Sequence, residues 1–438
     1  RVFNSLNLKL DAMPVTTVAD PSKSITVSYE LSGEAKETAI VAVAKAEGLD
    51  AVIDRDAKTV TVSFDASFSR GTVIVMAYDL ADNVIVKPLF YKAATLGTVA
   101  ISTPDQLVAF AAAVNAGGEE AAAKAVLTQD IDMNDVAWTP IGNGAYTTAN
   151  AMTGPAFQGT FDGQGHKITG LYLENKGTYN DGSSYYTALF GLCDGATIKN
   201  VSVYGEGKSI TRYVAGIVGR ACGVFTHRTT TIENCHNYVT LTNDQIYGHA
   251  GVVASAQDTV IRSCSNQADI TGYEGYTGGI VAVASSGSTV IENCWNTGDI
   301  HLRGWQPSFR GVGGIAGCVR ETVEISNCYN TGSISFYYRT QRIQQSAGGI
   351  VGAAGYSSSG QNITLTNCYS IGAVSGEYDD NANMGALVGE VVGASTVLTV
   401  SNCWYLDSAV KTSGAETTKI TVRGEAFTAA DGLDAAAL

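Results

Sequence analysis

The stretch Val290-Ile-Glu-Asn-Cys294-Trp-Asn296-Thr-Gly-Asp-Ile300 carries the strongest structural signal in the chain, because the chain repeats it. The cysteines of successive copies lie 29, 30, 34, 40 and 35 residues apart. An earlier copy, Ala196–Val203, has valine in place of cysteine. Repeats of about 20–50 residues are typical of solenoids and propellers. The other copies are Thr231–Asn237, Val260–Asn266, Val323–Ile334, Ile363–Tyr369 and Leu398–Trp404.

A second motif, of which Gly279-Ile-Val-Ala282 is an example, alternates with the first. Each repeat therefore contains a short apolar strand beside glycine, a turn and a second strand with alternating pattern. A propeller blade needs four strands in about 40–45 residues, so these units are too short. The pattern predicts an all-β fold, a parallel β-helix whose coils stack about 4.8 Å apart. The other copies of this motif are Ala188–Gly191, Gly216–Gly219, Gly251–Ala254, Gly314–Gly317, Gly349–Gly352 and Gly385–Gly389.

The isoleucine and the cysteine of Ile-x-Asn-Cys cannot both point inward in a straight strand, because side chains alternate. We expect the strand to bend at the asparagine, with the side-chain amides of successive coils stacked as a ladder. The string Phe157–Leu171 should form the first coil. Counted from it, about eight coils would extend on the order of 40 Å.

Both ends of this array need covers, because an open coil presents unpaired strand edges. Ser102-Thr-Pro-Asp105 reads as a helix start, with Thr103 as the cap and a helix to about Asn115. The apolar face of this capping helix would comprise Leu107, Phe110, Ala111 and Val114. Residues of about 408–438 should close the other end, with a short helix in Thr428–Leu438.

Residues 1–98 contain no copy of the repeat, so we predict two domains, 1–98 and 99–438. The first shows strand-like runs separated by turn signals, which is typical of a small β-sandwich. These runs are Ser24–Tyr29, Thr59–Phe64, Gly71–Tyr78 and Asn83–Tyr91.

Composition excludes several classes of protein. Of 438 residues only 16% are charged, 49 are glycine and 7 are proline, which argues against a coiled coil. An apolar content of 45% argues against a disordered chain. The net charge of −14 disfavours nucleic-acid binding, and no apolar run is long enough for a transmembrane helix.

Nine cysteines without a Cys-x-x-Cys pair disfavour a zinc ribbon. Cysteines stacked in a line do not converge tetrahedrally, and parallel side chains do not readily reach the disulfide dihedral. We therefore predict buried free thiols, no metal site and no cofactor. The predicted structural ladder comprises Cys235, Cys264, Cys294, Cys328, Cys368 and Cys403.

The two alternating motifs over residues 100–407, together with Phe157-x-Gly-Thr-Phe-Asp-Gly-x-Gly-His166, resemble bacterial cell-surface proteins with GLUG-type repeats. The resemblance implies a secreted or cell-surface, right-handed parallel β-helix of the adhesin type. Residues 1–98 are more loosely similar to Ig-like or BACON-like modules. Some relatives with such repeats cleave immunoglobulins through a separate zinc domain with a His-Glu-x-x-His motif, which this sequence lacks.

Inserts of variable length lie between each Thr-Gly-x-Ile turn and the next glycine motif, at residues 242–250, 271–277, 301–312, 335–347 and 375–383. They should stack on one edge of the β-helix, where aromatic rings and arginines suit an anionic glycan or an acidic protein partner. We predict that the two longest inserts form the ligand-binding surface. The predicted ligand-binding residues are Arg303, Trp305, Phe309, Arg310, Tyr337, Tyr338, Arg339 and Arg342.

We expect a non-enzymatic, extracellular and monomeric bacterial adhesin that binds a glycan or an extracellular host or matrix protein, with any lipid or cell-wall anchor outside this chain. The alternative is a carbohydrate-active enzyme, a polysaccharide lyase or glycosidase, with a groove on the β-helix. A third hypothesis is a passive stalk without a specific ligand. An enzyme would show converging charged groups with perturbed pKa values, whereas a binding protein would show exposed aromatic rings.

Overall fold

The structure is a computed structural model of the 438-residue chain. It describes residues 7–12, 15–18, 23–32, 40–65, 68, 70–78, 84–93, 98–146, 152–175, 186–209, 212–243, 247–304, 310–338, 345–355, 361–377, 383–393, 395–406, 410–411, 421–422, 425–426 and 430–433. The chain divides into two compact units, Arg1–Val99 and Ala100–Leu438.

The first unit is a β-sandwich of two four-stranded sheets. One has the order β1-β3-β6-β5 and the other the order β2-β8-β7-β4. The strands are β1 (Asn7–Leu10), β2 (Val15–Val18), β3 (Ile25–Ser32), β4 (Ile40–Lys45), β5 (Leu49–Asp54), β6 (Thr59–Phe64), β7 (Arg70–Tyr78) and β8 (Val84–Ala93).

The strand order of this sandwich is that of an immunoglobulin-like domain. Immunoglobulin strands A, B, E and D form one sheet and C, F and G the other. With β1 and β2 as two halves of strand A, the order here is the same. Buried side chains from both sheets, such as Val27, Val60, Val75 and Tyr91, form one core. The four predicted strands are present, and the sequence analysis missed the other four.

The second unit is a parallel β-helix with four sheets, which confirms the predicted fold class. Sheet 1 comprises Tyr186–Thr187, Tyr213–Ala215, Tyr247–Ala250, Gly275–Gly278, Arg310–Gly313, Gln345–Gly348 and Asn383–Gly385. Sheet 2 comprises Phe190–Asp194, Val218–Cys222, Val253–Ala256, Val281–Ala284, Ala316–Val319, Val351–Ala354 and Val388–Val391.

Sheets 3 and 4 contain the strands on either side of the cysteine. Sheet 3 comprises Val99–Ile101, Lys124–Leu127, Thr160–Asp162, Thr197–Lys199, Thr230–Glu233, Thr259–Arg262, Ser288–Glu292, Thr322–Ser326, Gln361–Thr366 and Thr396–Ser401. Sheet 4 comprises Ile131–Asp132, Lys167–Asn175, Ser202–Ser209, His236–Asn243, Ser265–Asn266, Ile270–Tyr273, Trp295–Asn296, Ile300–Gly304, Tyr329–Asn330, Ile334–Tyr338, Tyr369–Ser370, Val374–Glu377, Cys403–Leu406, Val410–Lys411 and Ala430–Leu433.

The coils begin earlier than the sequence analysis expected. From Phe157 onward sheet 3 has eight strands, as predicted, one per coil. Lys124–Leu127 and Ile131–Asp132 add a further coil, because they pair in parallel with the strands that follow Phe157. This coil has neither repeat motif, but Ala125, Leu127 and Ile131 alternate into the core. The prediction that Phe157–Leu171 forms the first coil is therefore wrong by one coil.

The strand bends before each cysteine, as predicted. Asn234, Asn293 and Asn327 have φ angles of 51°, 54° and 54°, in the left-handed region that asparagine tolerates. Their amides form a ladder in part: Asn367 Nδ2 donates to Asn327 Oδ1 at 3.1 Å. Because the backbone bends at the asparagine, the isoleucine before the bend and the cysteine after it both point into the core.

A second asparagine column, which the sequence analysis did not predict, explains why the two motifs alternate. The buried amides of Asn237, Asn266, Asn296 and Asn330 donate from coil to coil at 2.7, 2.7 and 2.8 Å. Each column amide lies against a glycine corner. A Cβ added at Gly279 would lie 2.6 Å from the Asn296 amide, so only glycine fits there.

The predicted capping helix is present as α1 (Pro104–Asn115), with Thr103 as its N-cap. Thr103 Oγ1 accepts a hydrogen bond from Gln106 N at 3.2 Å. The predicted apolar face is buried. The Phe110 ring lies 5.9 Å from that of Phe157 and 6.4 Å from that of Phe161, so the helix covers the first coils. A short 3₁₀ helix, Glu119–Ala122, follows α1.

The expected short helix at the C-terminal end is wrong. Ala430–Leu433, inside the segment expected to be helical, is a strand that pairs in parallel with Cys403–Leu406. The last coil leaves backbone groups unpaired, and an added strand satisfies them where a helix would not. Two small hairpins complete the described elements: Ala145–Tyr146 with Met152–Thr153, and Thr421–Val422 with Glu425–Ala426.

No helix among the described residues is long and apolar enough to cross a membrane.

Candidate functional site

The candidate site is the edge of the β-helix where the chain passes from sheet 4 to sheet 1, hereafter the insert edge. Of the predicted binding residues, the structure describes the side chains of Arg303 and Tyr337. For Arg310 and Tyr338 it describes the backbone alone, within strands Arg310–Gly313 and Ile334–Tyr338. The remaining four lie outside the described residues: Trp305, Phe309, Arg339 and Arg342.

Arg303 and Tyr337 belong to one column. Arg303 is in register with Tyr273 of the preceding coil and with Tyr337 of the following one. All three are half-buried, whereas their strand neighbours Leu302 and Phe336 point into the core. The β-helix thus places an arginine between two tyrosines on its outer surface, at neighbouring coils about 4.8 Å apart.

Parts of the predicted inserts belong to strands or to the core. Residues 271–277 were expected to be a loop, but most of them belong to strands Ile270–Tyr273 and Gly275–Gly278. Phe336, which the insert pattern grouped with the surface aromatics, is 2% exposed and belongs to the core. Phe336 is buried because the strand Ile334–Tyr338 continues after the turn. Side chains alternate along a strand, so Phe336 points to the same side as the buried Ile334.

A second group of side chains, hereafter the tyrosine–arginine cluster, lies beside the insert edge where sheets 1 and 2 meet, and the sequence analysis missed it. The Tyr213 ring lies 5.7 Å from that of Tyr186 and 5.9 Å from that of Tyr247. The guanidinium carbon of Arg212 lies 4.7 Å from the centre of the Tyr247 ring. The cluster comprises Tyr186, Arg212, Tyr213, Arg220, Tyr247, Tyr276 and Arg320.

Two arginines of this cluster donate hydrogen bonds to side chains on neighbouring coils. Arg220, which is 8% exposed, donates to Ser255 Oγ at 3.1 Å and to Gln257 Oε1 at 2.8 Å. Arg320 donates to the Tyr276 hydroxyl at 2.5 Å, and its guanidinium carbon lies 5.1 Å from the centre of that ring. These contacts orient both guanidinium groups.

Tyr213 lies at the centre of the cluster. Burial raises the pKa of its phenol, and the positive charges of Arg220, Arg320 and Arg212 act in the opposite direction. All three arginines are therefore close enough to Tyr213 to interact with it electrostatically. A Cβ added at Gly248 of the next coil would lie 2.7 Å from the Tyr213 ring, so the ring uses space that this glycine provides.

The sequence contained a signal for these residues. Gly216-Ile-Val-Gly-Arg220 and Gly314-Ile-Ala-Gly-Cys-Val-Arg320 each place an arginine at the end of an otherwise apolar buried strand. A charge in such a run is costly unless it has partners. Arg212 and Tyr213 also precede a glycine motif, as the predicted inserts do, but they follow an insert that the sequence analysis did not include.

The cysteine column has a structural role. In Cys235, Cys264, Cys294 and Cys368 the backbone N–H donates to the sulfur of the next cysteine at 3.4 Å. The thiol thus supplies an acceptor for an N–H at the bend. All nine cysteines are free and buried. Burial raises the pKa of Cys235 and Cys264 well above the ordinary value, which keeps these thiols protonated and unreactive.

A second set of aromatic rings follows the cysteines on sheet 4. Tyr329 lies 6.1 Å from Trp295 and 5.0 Å from Tyr369, with ring planes within 10° and 3° of parallel. Because the separations are close to the coil spacing, each ring covers a face of its neighbour. A ligand can therefore reach the edges of Tyr329 but not its faces, so this column is a poorer binding surface than the insert edge.

Two carboxyl groups of sheets 3 and 4, in the part of the chain that the structure describes, have lowered pKa values. Hydrogen bonds from Lys167 N and His166 lower the pKa of the exposed Asp130. Burial raises the pKa of Asp162, but hydrogen bonds from Asn200, Gln164 and Lys199 outweigh it, so the net shift is downward. A general acid needs the opposite shift. No metal-binding group of three His, Cys, Asp or Glu side chains is found in the part of the chain that the structure describes.

The fold and the site together define a repeat protein of the parallel β-helix class, with a separate immunoglobulin-like sandwich unit. No family model matches the chain, and no curated protein matches it.

Two solved structures are similar to the chain at low identity. One is the 1.30 Å crystal structure of a protein from Bacteroides ovatus described as a candidate immunoglobulin A1 protease. It is 20% identical to this chain, with a TM-score of 0.48. The match covers 76% of this chain and 84% of the Bacteroides ovatus protein. The other is described as an IgA1 protease. It is 16% identical, with a TM-score of 0.46, and the match covers 92% of this chain and 29% of that protein. The chain spans 29% of that second protein, and neither similarity extends to activity.

Proposed function

We propose that this chain is a secreted or cell-surface, non-enzymatic binding protein of the adhesin type, and that it binds a glycan or an extracellular protein through the insert edge. The observation that carries the proposal is the column of Tyr273, Arg303 and Tyr337 on successive coils. Such a column presents aromatic surface and a hydrogen-bonding cation on a rigid support, which is what recognition of a partner requires.

The rigid support follows from the repeat itself. Backbone pairing joins each coil of the β-helix to its neighbours, and from Cys235 onward the cysteine column and the buried asparagines add further contacts between coils. Side chains displayed at its edge therefore lose little freedom on binding. The resemblance to GLUG-type surface repeats supports an extracellular location. The chain would act as a monomer.

The test compares two pairs of side chains of the same types. Trp305→Ala with Tyr338→Ala alters the insert edge, and Trp295→Ala with Tyr329→Ala alters the stacked column on sheet 4. The ligand is found with a glycan array and a pull-down from extracellular matrix proteins. The edge variant should weaken binding at least about tenfold at unchanged melting temperature. The stacked-column variant should lower the melting temperature and leave affinity unchanged.

A glycan-degradation assay on the array hits separates binding from catalysis. Release of reducing ends or unsaturated products by the wild-type chain would show a carbohydrate-active enzyme and contradict the proposal. Equal affinity of the edge variant and the wild type would exclude the insert edge as the binding surface.

A further inference from the structure

Strand β4 (Ile40–Lys45) forms an open edge of the immunoglobulin-like sandwich. In the part of the chain that the structure describes, β4 pairs with β7 alone, in a regular antiparallel register without a bulge. Natural sheets block such edges with charged side chains, proline, bulges or very short strands. β4 is six residues long, and its one charged residue, Lys45, stands at its last position. Its outer edge therefore offers backbone N–H and C=O groups to another strand.

The other three edges of the sandwich each have one of these blocking features. Strands β1 and β2 are four residues long, and β1 contains Lys9. Strand β5 contains Asp50 and Asp54, and both side chains are exposed. In the immunoglobulin order β4 corresponds to strand C, and variable-type domains add further strands to that same sheet. The place beside β4 is thus one that a sandwich of this type can fill.

Small side chains leave the core open beside β4. Ala42 and Ala44 of β4, and Ala51 of the neighbouring strand β5, pack against the core but are only partly buried. Their counterparts one strand further in, Val75 and Val73, are fully buried. Because the side-chain period of a strand is two, a strand added to β4 would place alternate side chains over the alanines. Large apolar side chains there would bury the surface that the alanines leave exposed.

The outward face of the same sheet is also apolar. Val41 and Val43 of β4 are 40% and 36% exposed, and Val86 and Phe90 of β8 are 49% and 46% exposed. In the other sheet, the outward residues of β3 are polar, as is usual for an antiparallel sheet with one face on the core. Exposed apolar surface of this kind marks an interaction site. A segment beside β4 can therefore make apolar contacts on both of its faces.

The charge of this sheet indicates the sign of the partner. Strands β4, β7 and β8 contain four basic residues and no acidic one, on a chain with a net charge of −14. Glu47 and Asp65, in the turns that adjoin β4 and β7, offset part of this charge. Lys45 is exposed at the end of the open edge, where a carboxylate can approach it. A second copy of β4 would place alanine against alanine and supply no carboxylate, so it does not match this edge.

We propose that β4 accepts an extended segment of a partner protein as an added strand of the sheet. The segment has large apolar side chains at alternate positions and an acidic residue that meets Lys45. Backbone hydrogen bonds along the edge give affinity, and the side chains over Ala42 and Ala44 give specificity. This surface belongs to the first unit of the chain, so it adds a second interaction to the one proposed for the insert edge.

Fluorescence anisotropy on the full chain, with short labelled peptides, tests the proposal. The probe peptide alternates leucine with threonine and carries a glutamate at each end. One comparison peptide has the same residues in an order without alternation, and the other has lysine in place of glutamate. We expect the probe to bind at least about tenfold more tightly than either comparison peptide.

Hydrogen exchange followed by mass spectrometry locates the bound peptide. Backbone amides that gain a partner exchange more slowly. With the probe peptide present, exchange should slow in Ile40–Lys45 and stay unchanged in Leu49–Asp54, the open strand of the other sheet.

Two sets of variants separate the alanines from the charge. Ala42→Leu with Ala44→Leu fills the space beside β4 and should weaken probe binding at least about tenfold. Its control, Val52→Leu, enlarges an exposed side chain of β5 and should change the affinity less than about twofold. Lys45→Glu should weaken binding of the glutamate peptide and strengthen that of the lysine peptide, a reversal that a folding defect cannot produce. Lys9→Glu, on the edge strand β1, makes the same charge change elsewhere and should leave both affinities unchanged.

Several results would overturn the proposal. Equal binding of the alternating peptide and its reordered counterpart would mean that no strand is added, and slower exchange outside β4 would place the peptide elsewhere. Self-association of the full chain that Ala42→Leu with Ala44→Leu abolishes would identify a second copy as the occupant of the edge. Loss of peptide binding in Trp305→Ala with Tyr338→Ala would assign the peptide to the insert edge instead.

Discussion

Two sets of aromatic rings on the same β-helix differ in what surrounds them. On sheet 4, Trp295, Tyr329 and Tyr369 stack almost in parallel, so that each ring covers its neighbour. Beside the insert edge, Tyr186 and Tyr213 are tilted by 36°, and arginines lie beside the tyrosines. The same residue type at the same repeat spacing thus stabilises the stack in one place and presents polar and apolar groups together in the other.

The position within the coil produces this difference. The sheet 4 rings directly follow a bend of fixed length, so successive rings remain in register. The edge rings border inserts of variable length, and neighbouring rings there are tilted by 36° and 37°. Regular spacing favours ring-on-ring contact, and irregular spacing leaves sites for other groups. This comparison separates residues that stabilise the β-helix from residues that act on a partner, and mutations can test it.

The largest effect on stability should come from the cap of the stack. Phe110→Ala removes a ring that is 4% exposed and contacts Phe157 and Phe161. We expect a loss of about 3–5 kcal/mol in the free energy of unfolding, because the cavity lies against the first coils. Chemical denaturation followed by circular dichroism measures it. Val108→Ala, on the exposed side of the same helix, is the control; a loss below about 1 kcal/mol for Phe110→Ala would mean that the helix is not a cap.

The next largest effect should come from the inner asparagine column. Asn296→Ala removes hydrogen bonds to Asn330 and the Gly298 carbonyl at 2.8 Å each, and it takes from the buried Asn266 amide one of its two acceptors, the other being the Ala268 carbonyl. We expect a loss of about 3 kcal/mol. Asn293→Gly, at the exposed bend and able to keep the positive φ, should cost less than about 1 kcal/mol. Similar losses for both variants would show that the column has no special role.

A smaller effect should separate the two sets of rings directly. Tyr329→Ala removes two stacking contacts and should cost about 1–2 kcal/mol. Tyr337→Ala, a half-buried tyrosine of the insert edge, should stay within about 0.5 kcal/mol of the wild type. Thermal unfolding of both variants under one buffer measures the difference. If Tyr337→Ala destabilised the chain as much as Tyr329→Ala, the edge tyrosine would be part of the structural packing.

The smallest effect should be a pH dependence at the start of the stacked column. Burial lowers the pKa of His236, whose ring lies 5.5 Å from Trp295. The folded state thus prefers neutral histidine. Its contribution to stability is complete above the unfolded pKa of about 6.5 and decreases as pH falls below that value. His236→Asn should flatten the stability curve between about pH 5 and 7. An unchanged slope in this variant would assign the dependence to other groups.

The sequence by itself determined the coil. A strand repeat of fixed register, a glycine corner and an asparagine before each cysteine are local features, and each has one low-energy backbone solution. They gave the parallel β-helix, the bend, the eight coils after Phe157 and the capping helix. The sandwich was predictable as a class from four of its eight strands. The other four have weaker alternation, and only pairing with neighbours makes them strands.

Only the tertiary structure decided which side chains meet across coils. Arg220 and Ser255 are 35 residues apart, and Arg320 and Tyr276 are 44 residues apart, yet both pairs are in contact. Insert length sets how each coil aligns with the next at the edge, and no local pattern encodes that alignment. The strand Ala430–Leu433 shows the same dependence, because an unpaired edge of the last coil, rather than its own sequence, makes it a strand. The repeat therefore specifies the support, and the stacking of distant coils specifies the site.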